Sequence, residues 1–147
     1  VTTGGGGQIE YIGGIGCRLE TIKWNTVNSP ENSLPQVPFP TEPTDQKPHL
    51  RLYVMTLAVL APYRSQGIGR RLMHRMMSDA REMERTEDLC IDQVYLHVQT
   101  SNDEAIRFYE RFGFEKVKVL KQFYKRIENP DCYLMVLDVR KHGWTCE

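Results

Sequence analysis

The residues with the clearest chemical potential form the stretch RSQGIGRRLM, Arg64 to Met73, in which two glycines lie one residue apart among arginines. Glycine lets neighbouring backbone N–H groups turn towards one point without a Cβ in the way. A helix that begins here adds partial positive charge, and Arg64, Arg70 and Arg71 add full charges. The pattern suits a pyrophosphate bound by the backbone. A glycine-rich turn beside a solvated arginine face fits equally well, and this stretch alone leaves both open.

Two other phosphate-binding motifs do not match this stretch. A Walker loop needs Gly-Lys followed by Ser or Thr, whereas two arginines follow Gly69. A dinucleotide fingerprint needs a small residue three positions beyond the second glycine, where Leu72 stands. Its acidic ribose-binding residue is not evident either, although Asp88 and Asp92 are loosely placed.

A candidate acid–base residue is His97, in the alternating stretch QVYLHVQ. The alternation puts Val94, Leu96 and Val98 on one face of a strand and His97 on the other. Histidine titrates closest to neutrality, so it suits a general base. A hydrogen-bonded structural histidine fits the same pattern.

Composition excludes several classes of protein. The chain has 147 residues with 40% hydrophobic content, enough for one domain with a core, and its formal net charge is zero. A binder of nucleic acid or membrane surfaces would be basic. The four cysteines form no CxxC and no metal-ligand spacing with the histidines, so we expect no metal site and a reducing compartment, the cytoplasm.

The order of elements predicts an α/β layer fold. A strand rich in small residues covers 9–22, and the segment 23–48 holds six of the eight prolines, which predicts an extended loop. From His49 the pattern is strand, helix, strand, helix, strand, strand. The strand His49–Leu60 is continuously apolar, so we expect it to be central and covered on both faces. The two closing strands are predicted at 115–124 and 131–141, joined by a turn around Asn129-Pro130.

Two helices are predicted by apolar spacing. Ser101 with Glu104 forms a capping-box pattern at the start of the second helix, and Gly113 is its expected stop. The expected buried faces are Ile68, Leu72, Met76, Ala80 and Met83 in the first helix, and Ala105, Phe108, Tyr109 and Phe112 in the second.

Three segments resemble the GCN5-related N-acetyltransferase (GNAT) family, and within it the amino-terminal acetyltransferases: LYVMTLAVLAPYRSQGIG, VYLHVQTSNDEAIRFYERFGFE and FYKRIENPDCYLMVLDV. The resemblance runs from about Gly13 to Val139, apart from the proline-rich insertion. It implies a mixed central sheet flanked by helices, with acetyl-CoA as cofactor. The family begins with a strand and two helices ahead of the matched region, so we expect that unit to be missing. We expect residues 1–8 to be a loop or truncation, and 9–147 to be one N-acetyltransferase domain.

The resemblance also assigns roles to individual residues. His97 is implied as a base acting through water, and Tyr53 as a second base or water-orienting group. Because tyrosine titrates near pH 10, proton abstraction by Tyr53 requires a strongly lowered pKa or a shared water chain. Met55, Phe123 and Tyr124 are implied to bind substrate, with Phe123 standing where the family has tyrosine. The implied cofactor-binding residues are Leu57, Ala58, Val59, Arg64, Ser65, Gln66, Gly67, Ile68, Gly69, Arg70, Asn102 and Tyr109, the last also a candidate acid near the sulfur.

The resemblance therefore predicts acetyl transfer from acetyl-CoA to peptide α-amines, with Met followed by an apolar residue at the start of the peptide. Lysine side chains are a second possible substrate. The alternative is a non-catalytic acetyl-CoA-binding subunit of a ribosome-associated acetyltransferase complex, and a small-molecule amine acetyltransferase is disfavoured. The implied partners are protein amino termini, a NatA-type complex and the ribosome, with no sequence-specific nucleic acid and no membrane.

Overall fold

The computed structural model describes residues 9–22 and 43–144. The glycine-rich start and residues 23–42 of the predicted proline-rich loop lie outside the described residues. No helix in the described ranges is long and apolar enough to cross a membrane.

The elements of the described ranges are β1 Gly13–Thr21, β2 His49–Val59, α1 Ile68–Glu87, β3 Cys90–Gln99, α2 Asp103–Arg111, β4 Glu115–Leu120, β5 Cys132–Asp138 and α3 Val139–His142. These five strands form one mixed sheet in the order β1-β2-β3-β5-β4. Among them β2 and β3 run parallel, and the other neighbours are antiparallel. The helix α1 connects β2 to β3, since a parallel pair requires a crossover connection.

The strand β2 lies inside the sheet, as its apolar run predicts, but only its first half is well covered. Leu52 and Val54 are buried in the core, whereas the side chain of Met55 is 57% exposed. The prediction of cover on both faces is therefore wrong for the second half. The physical reason is that β2 loses its pairing with β3 beyond Tyr53, so its end borders an open space.

The core lies between the sheet and the helices. The helix α1 buries Ile68, Met76 and Ala80 as predicted, but Leu72 and Met83 are only half-buried. Met73 and Met77, absent from the predicted stripe, are fully buried instead. A helix that lies on a sheet buries a strip of side chains wider than a single line of residues spaced four apart.

The ends of two elements differ from the sequence prediction. Asn102 rather than Ser101 caps α2, because its side chain accepts a hydrogen bond from the Ala105 amide. The last strand stops at Asp138, whose carboxylate accepts from the Lys141 amide and begins α3. The strand predicted to continue to residue 141 is therefore a short helix. Similarly, β4 ends at Leu120, so the last residues of that predicted strand form a loop.

Candidate active site

The sheet opens between its two parallel strands. Pairing of β2 with β3 ends at Tyr53 opposite Tyr95, after which β2 continues alongside β1 and β3 continues alongside β5. The backbone of Leu57 to Val59 therefore has no strand partner on the β3 side. Unpaired strand groups can bind an extended polar ligand by main-chain hydrogen bonds.

The turn after β2 contains the Arg64–Gly69 stretch. Arg64 donates from Nε to the Val59 carbonyl at 2.9 Å, which ties the loop to the end of the strand. Ser65 and Gly67 have φ of 61° and 75°, so the chain turns sharply before α1 begins at Ile68. No side chain caps this helix end, and its first-turn N–H groups lack helical partners. Such a helix start binds anions well.

A cleft of about 1240 Å³ lies beside this turn. Its walls come from the end of β2, the loop, the start of α1 and one side of α2. Every residue implied as cofactor-binding lines it except Gln66, whose side-chain amide donates to the Pro62 carbonyl instead. Glu104, Ala105, Arg107 and Phe108 also line the cleft. The sequence resemblance did not single out these α2 residues, because their types are ordinary for a helix.

The cleft fits a long ligand with an anionic part. A Cβ built on Gly67 meets no atom within 4 Å, so the loop leaves open space above its backbone. A Cβ on Gly69 lies at ordinary contact distance, 3.5 Å from Cζ of Phe108. Neither glycine is thus required by crowding within the protein. The uncapped helix start and Arg70 supply positive charge, and the unpaired strand edge supplies polar backbone.

The two residues implied as catalytic lie in contact. The hydroxyl of Tyr53 is 3.0 Å from Nδ1 of His97, and the two rings meet edge to face. The parallel register explains the contact, because Tyr53 pairs with Tyr95, two residues before His97. The ring of Tyr95 stacks on Tyr53 with centroids 4.7 Å apart.

Burial changes the titration of both residues. It lowers the pKa of His97 below the ordinary 6.5, which keeps the imidazole neutral. Its Nε2 is buried and has no hydrogen-bond partner among the described residues. Burial raises the pKa of Tyr53, with a smaller opposing effect from Arg18. This direction is opposite to what proton abstraction by Tyr53 requires.

The three residues implied as substrate-binding differ in their surroundings. Phe123 and Tyr124 follow β4 in the loop that leads to β5, and Phe123 stacks on His97 with centroids 4.2 Å apart. The Tyr124 amide donates to the Pro130 carbonyl, and burial raises the pKa of its phenol to about 12. Met55 is exposed on β2, two residues after Tyr53.

Asn102 and Tyr109 both line the cleft but have structural contacts as well. The side-chain oxygen of Asn102 is occupied in capping α2, so its amide nitrogen is the group left for a ligand. The ring of Tyr109 packs edge to face on Phe108 and Phe114, and burial raises the pKa of its phenol. A phenol held in its protonated form remains a hydrogen-bond donor, and its raised pKa makes it a weaker acid.

Three residues near the Tyr53–His97 pair were not identified from the sequence. Tyr95 donates to Glu20 at 2.7 Å, and the guanidinium of Arg18 lies 5.3 Å from the Tyr53 ring centroid. The alternation in β3 already put Tyr95 on the His97 face. Nothing in the pattern of β1 indicated that Arg18 and Glu20 face the same tyrosines.

The comparison with protein families identifies the class of protein to which this fold belongs. The chain belongs to the acetyltransferase (GNAT) family, whose model matches residues 29–114. This confirms the expected fold and the family resemblance.

Two curated relatives are N-acetyltransferases by name. N-alpha-acetyltransferase 50 of Danio rerio is 43% identical over 90 residues, which cover 61% of this chain and 51% of the relative. The probable N-acetyltransferase san of Drosophila melanogaster is 43% identical over 91 residues, covering 62% of this chain and 47% of the relative. The chain thus spans about half the length of the curated relatives it matches.

Two solved structures share the fold with substantial identity. Arabidopsis thaliana Naa50, in complex with the bisubstrate analogue CoA-Ac-MVNAL, superposes with a TM-score of 0.61 at 35% identity, covering 86% of this chain and 65% of that one. Arabidopsis thaliana NAA60, in complex with acetyl-CoA, superposes with a TM-score of 0.65 at 26% identity, covering 88% and 66%.

Proposed function

We propose that this chain transfers acetyl from acetyl-CoA to the α-amine of peptides. The observation that carries the proposal is the Tyr53–His97 contact of 3.0 Å at the point where β2 and β3 separate. Neither residue lines the cleft itself, which begins on β2 at Leu57, four residues after Tyr53. A neutral imidazole at that position can accept the amine proton. The names of the two curated relatives and the ligands of the two solved structures support the same reaction.

The cleft provides binding groups suited to acetyl-CoA, which supplies the activated acetyl group when bound. The loop Arg64–Gly69 and Arg70 are suited to the pyrophosphate, through backbone N–H groups and side-chain charge. The unpaired backbone of Leu57–Val59 is suited to the amide-containing arm. One N–H there can polarise the acetyl carbonyl. Asn102 and Tyr109 line the cleft on its α2 side, and Tyr109 is the candidate acid near the sulfur.

We propose different roles for Tyr53 and His97 in removing the amine proton. We assign proton acceptance to Nε2 of His97, directly or through one water. This requires the tautomer in which Nδ1–H is donated to the Tyr53 hydroxyl, leaving the Nε2 lone pair free. Tyr53 then positions the imidazole and orients water. Its raised pKa argues against a role as a second base.

The residues near this pair suit a peptide with an apolar start. The ring of Phe123 stacks on the proposed base, and the exposed thioether of Met55 lies two residues after Tyr53 on β2, so both offer apolar surface. We therefore propose substrates that begin with Met followed by an apolar residue. Arabidopsis thaliana Naa50, whose analogue carries the peptide MVNAL, supports this choice. We extend the proposal to a cytoplasmic protein acting with a NatA-type complex at the ribosome, in keeping with the free thiols of Cys17, Cys90 and Cys132.

A peptide screen tests the proposed reaction. Peptides varied in their first two residues are incubated with the chain and acetyl-CoA, and released thiol is measured. We expect turnover to be fastest with Met-Leu peptides and to fall by about 100-fold or more in His97→Ala. The exposed variant Arg75→Ala serves as the control. Unchanged turnover in both His97→Ala and Tyr53→Phe contradicts the assigned roles.

The same preparation tests the non-catalytic alternative, which the loss of a tyrosine hydroxyl at Phe123 favours. Calorimetry measures acetyl-CoA binding independently of turnover. Binding without turnover on any peptide selects the acetyl-CoA-binding subunit, and absence of binding contradicts both functions.

A further inference from the structure

A group of side chains with metal-binding chemistry lies at the end of the sheet opposite the cleft. Asp45 precedes β2, His49 is the first residue of β2, and Cys90 is the first residue of β3. One ligand atom from each lies within 4.8 Å of the other two. The β2 residues that line the cleft lie at the other end of the strand, eight to ten residues after His49, or about 26–33 Å away. We propose that Asp45, His49 and Cys90 form a zinc site.

The backbone holds the two strand ligands next to each other. His49 and Cys90 are directly paired in the parallel register. The Cys90 amide donates to the Pro48 carbonyl at 2.9 Å, and the Ile22 amide donates to the His49 carbonyl at 2.8 Å. The two side chains therefore start from fixed positions. Such preorganisation reduces the entropy lost when a metal binds.

Tetrahedral coordination requires small adjustments of the ligand-atom distances, of up to about 1 Å where a pair stands at the 4.8 Å limit. Ligand atoms about 2.0 to 2.3 Å from zinc lie about 3.3 to 3.6 Å from one another. Nε2 of His49 is 2.9 Å from Oδ1 of Asp45, a hydrogen bond that must open by a few tenths of an ångström. Asp45 is half-exposed and precedes the strand, so its side chain has room to move.

A buried carboxylate orients the histidine. Oδ2 of Asp92 lies 2.7 Å from Nδ1 of His49, and both side chains are almost fully buried. His49 also donates its Nε2–H to Asp45 before a metal binds; once that proton is lost, the Nδ1–H donated to Asp92 leaves the Nε2 lone pair directed towards Asp45 and Cys90. Metal-binding histidines typically have such a carboxylate behind them, because it fixes the tautomer and raises ligand basicity.

The ligand types favour zinc. A thiolate, an imidazole and a carboxylate are all zinc ligands, whereas magnesium and calcium prefer oxygen alone. The ammonium group of the nearby Lys47 is held by Asp88 at 2.5 Å. Binding forms bonds from zinc to Cys90 sulfur, His49 Nε2 and an Asp45 oxygen, breaks the S–H bond of Cys90 and the Nε2–H bond of His49, and releases both protons to solvent. Water completes the fourth position on the exposed side of Asp45.

A metal here would join the segment before β2 to the start of β3. Sequence spacing does not reveal the group, because Cys90 follows His49 only after β2 and the whole of α1. Since His49 lies four residues before Tyr53 on β2, about 13 Å along the strand, we expect the metal to affect stability more than turnover.

Metal titration of the full chain tests the site. We expect about one equivalent of Zn²⁺ to bind in competition with a chromophoric chelator, and Cys90→Ser and Asp45→Asn each to weaken binding by about tenfold or more. Cys17→Ser, which removes an exposed thiol on β1, is the matched control and should bind like the parent. Co²⁺ provides a second probe, with a thiolate-to-cobalt absorption band expected in the parent and in Cys17→Ser but absent in Cys90→Ser.

Two results overturn the site. One is failure of the parent chain to compete with the chelator for Zn²⁺. The other is equal zinc affinity, or an equal cobalt band, in the parent and in Cys90→Ser. Circular dichroism of each variant verifies folding, and the half-exposed position of Asp45 makes Asp45→Asn the variant least prone to unfold.

Discussion

The ring of Phe123 lies against the imidazole of His97, with centroids 4.2 Å apart and an interplanar angle of 22°. His97 is thus held on two sides, by this ring and by the Tyr53 hydroxyl. Because Phe123 belongs to the loop between β4 and β5, the contact couples the loop to the proposed base. We therefore expect Phe123, a residue implied as substrate-binding, also to position the proposed base.

Replacing Phe123 tests this coupling. Phe123→Ala removes a stacked aromatic pair worth about 0.5–1.5 kcal/mol, so kcat/KM with a Met-Leu peptide should fall by about two- to tenfold. Phe123→Tyr keeps the ring and should retain most of the activity. If Phe123→Ala is as active as Phe123→Tyr, the stack does not position His97.

The lowered pKa of His97 predicts a particular pH dependence. The neutral base is present above its pKa, which burial moves below 6.5. The peptide α-amine titrates at about 7.7–8.0 and gives an upper limb. The slope of log kcat/KM against pH should therefore steepen from roughly one to roughly two only below pH 6.5. His97→Gln should lose the steeper limb and keep the upper one. A steeper limb that survives in His97→Gln assigns it to another group.

The sequence predicted the parts of this site that depend on residue type, and missed those that depend on packing. The glycine–arginine stretch and the His97 alternation were visible, but their joint meaning came only from the family resemblance. Asn102 and Ser101 are adjacent and both able to cap a helix, so the sequence did not choose between them. Asp138 ends β5 because its carboxylate caps α3. In the sequence, this single capping residue is a weaker signal than the apolar run before it, which predicted a longer strand.

Contacts between distant elements were the least predictable. The interaction of Arg18 with Tyr53 and of Glu20 with Tyr95 depends on the register of β1 against β2. That register includes a shift between Gly16 and Cys17, which no local pattern indicates.

Arg64 should contribute to cofactor affinity. Its side chain lines the cleft while its Nε holds the end of β2. A hydrogen bond to a charged group is worth about 1.5–3 kcal/mol, so Arg64→Ala should weaken acetyl-CoA binding by about 10- to 100-fold in calorimetry. Arg75→Ala removes the same charge from an exposed position on α1, where it pairs with Asp79, and should bind normally. Equal losses in both variants indicate a general charge effect rather than contact with the ligand.

Glu84 should stabilise the fold without affecting turnover. One carboxylate oxygen accepts from the Ile91 amide and the other from the Trp144 indole, both at 2.7 Å. Glu84→Ala leaves two donors without partners and should lower the free energy of unfolding by about 1–3 kcal/mol in urea titrations. Glu82→Ala breaks an exposed pair with Arg85 and should leave the free energy of unfolding almost unchanged. A loss as small in Glu84→Ala as in Glu82→Ala contradicts this role.

Gly69 allows stability and binding to be separated in one substitution. It lies in the first turn of α1, where alanine is favoured over glycine by up to about 1 kcal/mol. An added Cβ meets only Phe108, at 3.5 Å, so the folded chain accommodates it. The methyl group would, however, stand in the cleft where we place the pyrophosphate. Gly69→Ala should therefore raise the melting temperature slightly while weakening acetyl-CoA binding.

The control for this substitution is Gly14→Ala on β1, where an added Cβ meets nothing within 4 Å. It should leave acetyl-CoA affinity unchanged. A joint loss of stability and affinity in Gly69→Ala means that the helix start is distorted, and the substitution then reports on packing. Higher stability with unchanged acetyl-CoA affinity means that no part of the ligand approaches Gly69, and this result contradicts pyrophosphate binding at the loop. Only higher stability together with weaker acetyl-CoA binding supports a cradle built from backbone N–H groups. In that case the folded chain accommodates the added methyl group, and only a bound ligand can account for the need for glycine.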